Sequence, residues 1–201
     1  MLVQDLIKRA LRELNTYAAG QSPTGAELTD ALSSYNTMLR SMFGVAVGPR
    51  LLPIVAGAST SAINGGLYRT AAGITLTLPA NPRDGSRFGV SNNSGASVTI
   101  TANGWRIAGA ASVSVATGTN ATYFFRGDTG AWTLEADQAL TDATIFAPDM
   151  DEHLVFMLAA RLQAGYSDAP PPPTVIALAQ AGEVAFVQRY GRGPRQMRNA
   201  A

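Results

Sequence analysis

The chain has 201 residues, of which 46% are hydrophobic, so it can bury one good-sized core or two small ones. It contains no cysteine, which excludes disulfides, thiolate catalysis and cysteine-ligated metals. The net charge of +1 conceals an uneven distribution: residues 137–188 carry one basic and seven acidic side chains, whereas residues 189–201 carry four arginines and no acid. An acidic segment followed by a basic end predicts an interaction arm.

The first forty-odd residues predict two amphipathic helices. Apolar residues recur at helical spacing over residues 6–14 and again over 28–42, and Gly20 and the Ser22-Pro23 pair interrupt the pattern between them. Thr24 and Glu27 have the spacing of a capping box, in which a hydroxyl and a carboxylate each satisfy a free amide at the start of a helix. We therefore expect a helical hairpin.

The middle of the chain predicts a β-domain over residues 60–137. Ile74 to Pro79, Val98 to Thr101 and Val113 to Val115 alternate strictly between apolar and polar residues. Turn signals such as Arg83-Asp84-Gly85 separate these short runs. Short strands at this spacing are typical of a compact antiparallel β-sandwich or barrel-like unit.

After Pro148 the helical period returns and predicts two further helices, separated by four prolines at 170–173. Thr174 is the expected cap of the last helix, which ends near Tyr190. The predicted fold class is α+β. Residues 1–59 and 138–190 form a discontinuous four-helix domain, residues 60–137 are inserted in it, and residues 191–201 form an extended basic tail.

No set of residues has the pattern of a catalytic, cofactor-binding or metal site, so we expect no enzyme activity, no cofactor and no metal. The single histidine, His153, follows Asp149, Asp151 and Glu152, whose charges suit the positive end of a helix dipole better than a calcium loop. Trp105 and Trp132 are suited either to a core or to stacking on a sugar.

The two helical ends resemble the head-to-tail adaptor proteins of tailed bacteriophages, also called tail accessory or head completion proteins. The resemblance is carried by the segments 6–14, 26–32, 39–42 and 154–162, followed by the proline-rich break and an alanine-rich helix. The insert departs from the simplest adaptors, which have a short loop there. Its Pro82-Arg83-Asp84-Gly85 and Gly130-Ala131-Trp132 segments look like β units of phage fibres.

This resemblance implies a ring, usually of twelve copies, beneath the portal at the capsid exit. Such a ring extends the channel through which genomic DNA passes without sequence specificity, and it offers a platform to a tail nozzle, tube or fibre. The matching portal-docking position is the C-terminal segment, with Tyr190, Arg192, Arg195 and Arg198 as the expected contact residues. In the insert, Trp105, Tyr123 and Phe125 are candidates for contact with a tail or fibre protein.

The resemblance implies a location at the head–tail junction of a virion. Assembly in the host cytoplasm is expected because the sequence has neither a recognisable signal peptide nor an apolar run long enough to span a membrane. Two alternatives stay open. The chain could anchor fibres or belong to a baseplate, or it could be a virion protein that binds carbohydrate or degrades a cell wall. The arginines of the tail could equally contact portal, DNA or neither.

Overall fold

The structure, a computed structural model, describes residues 1–15, 17, 21–166 and 170–191. It is α+β and divides into two compact units. Unit 1 contains Met1–Val45 and Ala136–Gln188, and unit 2 contains Ala46–Glu135 together with Arg189 and the residues that follow it. The structural division thus begins the β region at residue 46, earlier than the predicted 60. The predicted tail lies, apart from Gly191, outside the described residues.

Four α-helices account for most of unit 1, as the sequence predicts. They are α1 (Val3–Glu13), α2 (Gly25–Val45), α3 (Asp151–Tyr166) and α4 (Pro173–Tyr190), whose last two residues are assigned to unit 2. No described helix has the length and apolar character needed to cross a membrane. The final helix begins at Pro173 and not after a Thr174 cap, since proline has the φ of the first helical turn and needs no amide partner there.

The core of unit 1 forms where the apolar stripe of α1 packs against α2 and α3. An aromatic row extends this core: the ring centroids of Phe43 and Phe146 are 5.4 Å apart, and those of Phe146 and Phe186 are 4.9 Å apart. Helix α4 approaches α3 at Gly182, where a β-carbon would lie 3.2 Å from the side chains of His153 and Met157. Glycine therefore allows the close packing of α4 on α3.

The capping box at the start of α2 is confirmed. The backbone N–H of Thr24 donates to Glu27 Oε2 at 2.7 Å, and the backbone N–H of Glu27 donates to Thr24 Oγ1 at 3.3 Å. The Tyr17 hydroxyl and, after it, the hydrogen bonds from Thr24 lower the pKa of Glu27 below its ordinary value.

We expect Thr24→Ala to lower the free energy of unfolding of unit 1 by about 1 kcal/mol, because the backbone N–H of Glu27 loses its acceptor, Thr24 Oγ1. A carboxyl with a lowered folded pKa stabilises the fold above its unfolded pKa, and that contribution disappears as the pH falls through the folded value. Glu27→Gln should therefore flatten the acid limb of the stability curve. Urea titration followed by far-UV circular dichroism measures both effects. An acid limb unchanged in Glu27→Gln would contradict the assignment.

Ten strands form two sheets in unit 2. They are β1 (Leu52–Ala56), β2 (Thr60–Ser61), β3 (Gly66–Thr70), β4 (Thr75–Thr77), β5 (Arg87–Asn92), β6 (Val98–Thr101), β7 (Arg106–Ile107), β8 (Ser112–Val115), β9 (Asn120–Arg126) and β10 (Ala131–Leu134). The larger sheet has the order β1-β3-β5-β9-β10-β7, and the smaller one has the order β2-β4-β6-β8.

The prediction of a sandwich is confirmed, but the prediction that it is antiparallel is wrong for its first half. The pairs β1–β3, β3–β5, β2–β4 and β4–β6 are all parallel, as is β10–β7. The chain therefore winds through three successive rungs, each with one strand in each sheet, before β8 and β9 reverse direction and pair antiparallel with the third rung. Alternation of apolar and polar residues is the same in both kinds of ladder, so the pattern could not distinguish them.

Asn92 shows why the turn signals were misleading. This fully buried side chain donates to the carbonyls of Ala96 and Val115 at 2.9 and 2.8 Å, and its Oδ1 accepts from the Ser94 hydroxyl at 2.6 Å. The Asn92–Gly95 segment thus carries the chain from the larger sheet to the smaller one, where a hairpin would return it to the same sheet.

The core of unit 2 lies between the two sheets and consists of inward-facing residues from both. They are Ala56, Ala62, Tyr68, Ile74, Leu76, Leu78, Phe88, Val90, Val98, Ile100, Ala102, Ile107, Val115, Tyr123, Phe125 and Trp132.

Candidate interaction surfaces

The predicted portal-docking residues are only partly within the described chain. Arg192, Arg195 and Arg198 lie outside it. Tyr190 is described, and only 1% of its surface is exposed. Its carbonyl accepts a hydrogen bond from the Gly48 N–H at 2.6 Å. In this fold the Tyr190 side chain is therefore a packing residue, and the expectation that it contacts a partner is corrected.

Arg189 is engaged next to Tyr190. Its Nε donates to Asp84 Oδ2 at 3.0 Å, and its guanidinium carbon lies 5.2 Å from the centre of the Tyr190 ring. The other oxygen of Asp84 accepts from the Gly127 N–H at 2.8 Å. Of the four arginines that the sequence places after residue 188, the first is thus used inside unit 2.

The predicted fibre-contact residues lie mostly in the core. Tyr123 and Phe125 are 6% and 3% exposed, so the expectation that they contact another protein is corrected. Phe125 packs edge-on against Trp105 and Trp132, with ring centroids 5.1 and 5.4 Å apart. Trp105 is partly buried, and its indole N–H donates to the Ala80 carbonyl at 2.8 Å. Of the three residues, Trp105 is the most exposed.

Of the acidic residues near the start of α3, Asp151 has a structural use. Asp151 is buried, accepts from the Thr144 hydroxyl at 2.6 Å, and lies 3.1 Å from the amino group of Met1. His153 is half-buried one turn into the helix. Among the residues that the structure describes, no three histidine, aspartate or glutamate side chains are grouped to hold a metal ion.

Sequence reasoning did not identify an ion pair in the interior of unit 2. Arg87 Nε and Nη2 donate to the two oxygens of Glu135 at 2.5 and 2.7 Å, and Arg87 Nη1 donates to the Val47 carbonyl at 3.3 Å. Burial raises the pKa of Glu135, although the attraction of Arg87 acts in the opposite direction. Arg87 thus links Val47, near the start of unit 2, to Glu135, and no local sequence pattern connects these three residues.

Helix α4 presents the first surface with the character of an interface. It buries one narrow stripe, formed by Val175, Ala179, Gly182, Phe186 and Tyr190. The opposite side exposes apolar residues: Ile176 is 40% exposed, Val184 55% and Val187 52%. Glu183 is the sole charged residue between Pro173 and Arg189. This scarcity of charged residues was the feature of the sequence from which an interface on α4 could have been predicted.

Strand β1 presents the second such surface. It is the edge strand of the larger sheet and is exposed at Leu52 and, most of all, at Val55, with Ile63 exposed nearby. The sixteen residues from Leu51 to Gly66 contain no charged side chain. Natural proteins usually protect such edges with charge, so the absence of charge here is informative.

Comparisons with known proteins support the β-sandwich and do not assign a family or a function to the chain. The family model for the β-sandwich domain of metalloprotease StcE matches residues 74–136, less than half of the chain. The match includes β4 to β10 but not the first rung. No curated protein matches the sequence. A solved structure of a chaperone–substrate complex is similar at 12% sequence identity over 39% of this chain and 14% of that chain, with a TM-score of 0.30. A score this low carries no argument about fold or function.

Proposed function

We propose that this protein is a structural component of a tailed phage particle, which forms a ring with copies of itself beneath the portal and connects the DNA-filled head to the tail. The observation that carries the proposal is the exposed apolar side of α4. A helix that is apolar nearly all round is normally buried, and exposed apolar patches mark protein interfaces. The resemblance of the helical segments to head-to-tail adaptors supplies the kind of interface.

The apolar side of α4 suits contact between copies better than contact with DNA. Val184 and Val187 lie one turn apart, Ile176 lies two turns before Val184, and Gln180 and Glu183 lie beside them. Phosphate binding requires cations, which this side lacks. In a ring each copy uses one surface to contact the next, and exposed apolar residues on one helix suit such a contact.

We expect the double substitution Val184→Glu and Val187→Glu to abolish ring formation on purified portal, because two carboxylates would lose their hydration in the contact. Electron microscopy of portal mixed with each variant gives the result directly. Leu134→Glu, an exposed apolar residue of unit 2, is the matched control and should leave rings intact. Rings that persist in the double variant would contradict the role of α4.

Unit 2 has a separate part in the proposal, which is to hold a tail nozzle or fibre while the helices form the ring. Its support is the fibre-like turn segments of its sequence. Purified fibre protein should bind assembled rings and not portal alone. The proposed role is structural and needs no catalysis, cofactor or membrane.

The tail supplies the proposed contact with portal through Arg192, Arg195 and Arg198. Replacing all three by alanine tests whether these arginines bind portal protein or DNA. Loss of binding to purified portal supports docking, whereas a loss confined to DNA, with the wild-type affinity falling steeply as salt rises, supports contact with phosphates. Genomic DNA would in either case pass the ring without sequence-specific contacts.

A further inference from the structure

The outer edge of β1 carries unpaired backbone groups. The Leu52 N–H donates to the Gly65 carbonyl at 2.7 Å, so Leu52, Ile54 and Ala56 direct their backbone groups towards β3. The residues between them, Pro53 and Val55, therefore direct theirs to the free edge. Within the described residues no strand pairs with that edge.

The usual protection of an edge strand is incomplete here. Pro53 removes one donor, which shortens the length of edge that another strand can use. Val55 keeps both its N–H and its carbonyl, and 83% of its surface is exposed. Because residues 51–66 are uncharged, no side chain of this rung repels an approaching neutral strand.

Both sheets end at this rung, since β2 is the edge of the smaller sheet. Terminal repeats of stacked β-structures normally need a polar cap to stay soluble. Here the end of the stack instead exposes an apolar hollow that includes Val55, Ile63 and Tyr68 in its lining. This end of unit 2 thus carries no charge and exposes the apolar residues Leu52, Val55 and Ile63 beside the small polar residues of β2.

We propose that in the free protein two copies pair through β1, antiparallel and related by a two-fold axis at Val55. In that register the two Val55 residues exchange both of their backbone hydrogen bonds, with α-carbons about 5.5 Å apart. Ile54 then lies opposite the partner's Ala56 on the core side of the sheet, and Pro53 lies outside the central pair, where its missing N–H breaks neither hydrogen bond.

We assign a second copy of the chain as the partner of this edge, because an uncharged strand edge pairs well with an identical uncharged edge. A charged strand would lose hydration without gaining an ion pair on a rung that has no charge. The basic C-terminal segment of this chain is excluded as a partner for the same reason. Neighbours around a ring are related by rotation about the ring axis, so this two-fold contact is distinct from the proposed ring contact.

The test compares sedimentation of the full chain with that of Val55→Lys over a range of concentrations. We expect a monomer–dimer equilibrium whose dissociation constant rises by about tenfold or more in Val55→Lys, since like charges would lie directly opposite each other. Leu134→Lys places the same charge on an exposed residue of the internal strand β10 and should dimerise as the wild type does. Near-UV circular dichroism verifies that both variants are folded.

Cysteine crosslinking tests the register. Because the chain has no cysteine, Val55→Cys introduces a single thiol, and a short bismaleimide should join two copies rapidly. Leu134→Cys should crosslink slowly. A wild type that stays monomeric at every concentration, equal dimerisation of Val55→Lys, or equal crosslinking at the two positions would each overturn the pairing.

The proposed ring through α4 and the proposed dimer through β1 can be tested independently of each other. Repeating the sedimentation with the Val184→Glu and Val187→Glu double variant removes the proposed ring contact, and the β1 dimer should persist. If that variant were monomeric while the wild type associates, the association would belong to α4 and the pairing through β1 would be wrong.

Discussion

Arg87→Ala is expected to lower the free energy of unfolding of unit 2 by about 3–5 kcal/mol, because removal of one member of a buried ion pair leaves the other charge without compensation. The side chains of Arg87 and Glu135 are each only 9% exposed, and two hydrogen bonds join them. The same substitution also removes the donor to the Val47 carbonyl.

Both tryptophans of the chain lie in unit 2, so denaturant titration followed by tryptophan fluorescence measures the stability of this unit. Arg69→Ala, in the neighbouring strand β3, is the matched control and should change stability by less than about 0.5 kcal/mol, because Arg69 is exposed.

The pair itself need not stabilise the fold relative to apolar side chains of similar size. Burial raises the pKa of Glu135 despite the adjacent arginine, so desolvation outweighs the attraction at that carboxyl. The double variant Arg87→Met with Glu135→Leu should therefore recover much of the stability that Arg87→Ala loses. A double variant no more stable than Arg87→Ala would show that the contact with Val47, and not the charge, is decisive.

Phe88→Ala is expected to destabilise unit 2 by about 3–5 kcal/mol through the cavity it leaves. Phe88 is fully buried between the sheets, with its ring stacked on Tyr123 and edge-on to Trp132, each at a centroid distance of 5.2 Å. Such aromatic pairs contribute beyond the area that they bury.

Phe88→Leu keeps most of the side-chain volume, so its loss of free energy of unfolding should be less than half that of Phe88→Ala. Comparing the two variants distinguishes the effect of the cavity from the effect of the lost aromatic contacts. Thermal unfolding of unit 2, with Trp132 as the neighbouring probe, measures both variants. A Phe88→Ala variant as stable as wild type would mean that the core between the sheets collapses around the missing ring.

The helices of unit 1 could be predicted from the sequence because local forces determine them. The apolar period of α1 and the Thr24–Glu27 capping box depend on residues within one or two turns, and both are present in the structure. The apolar alternation likewise identified β4, β6 and β8, which are three of the ten strands of unit 2. Its start was predicted too late because Leu52 to Ala56 is a continuous apolar run without alternation.

The candidate sites were harder to predict because exposure is not a property of a residue type. Tyr123 and Phe125 have the composition of a binding face, yet their strand lies between β5 and β10 and both side chains point into the core. Tyr190 is one of the expected docking residues, and it is buried. The uncharged runs at 51–66 and in α4 were visible in the sequence, but only burial shows that their apolar side chains face solvent.

By itself the sequence determined the α+β class, the four helices, the capped start of α2 and the presence of a sandwich, since each depends on patterns within a few residues. The tertiary structure decided the rest. The parallel rungs, the pairing of Arg87 with Glu135 and the open edge at Val55 all depend on residues separated by ten to a hundred positions, and chain topology brings such residues together while local periodicity does not.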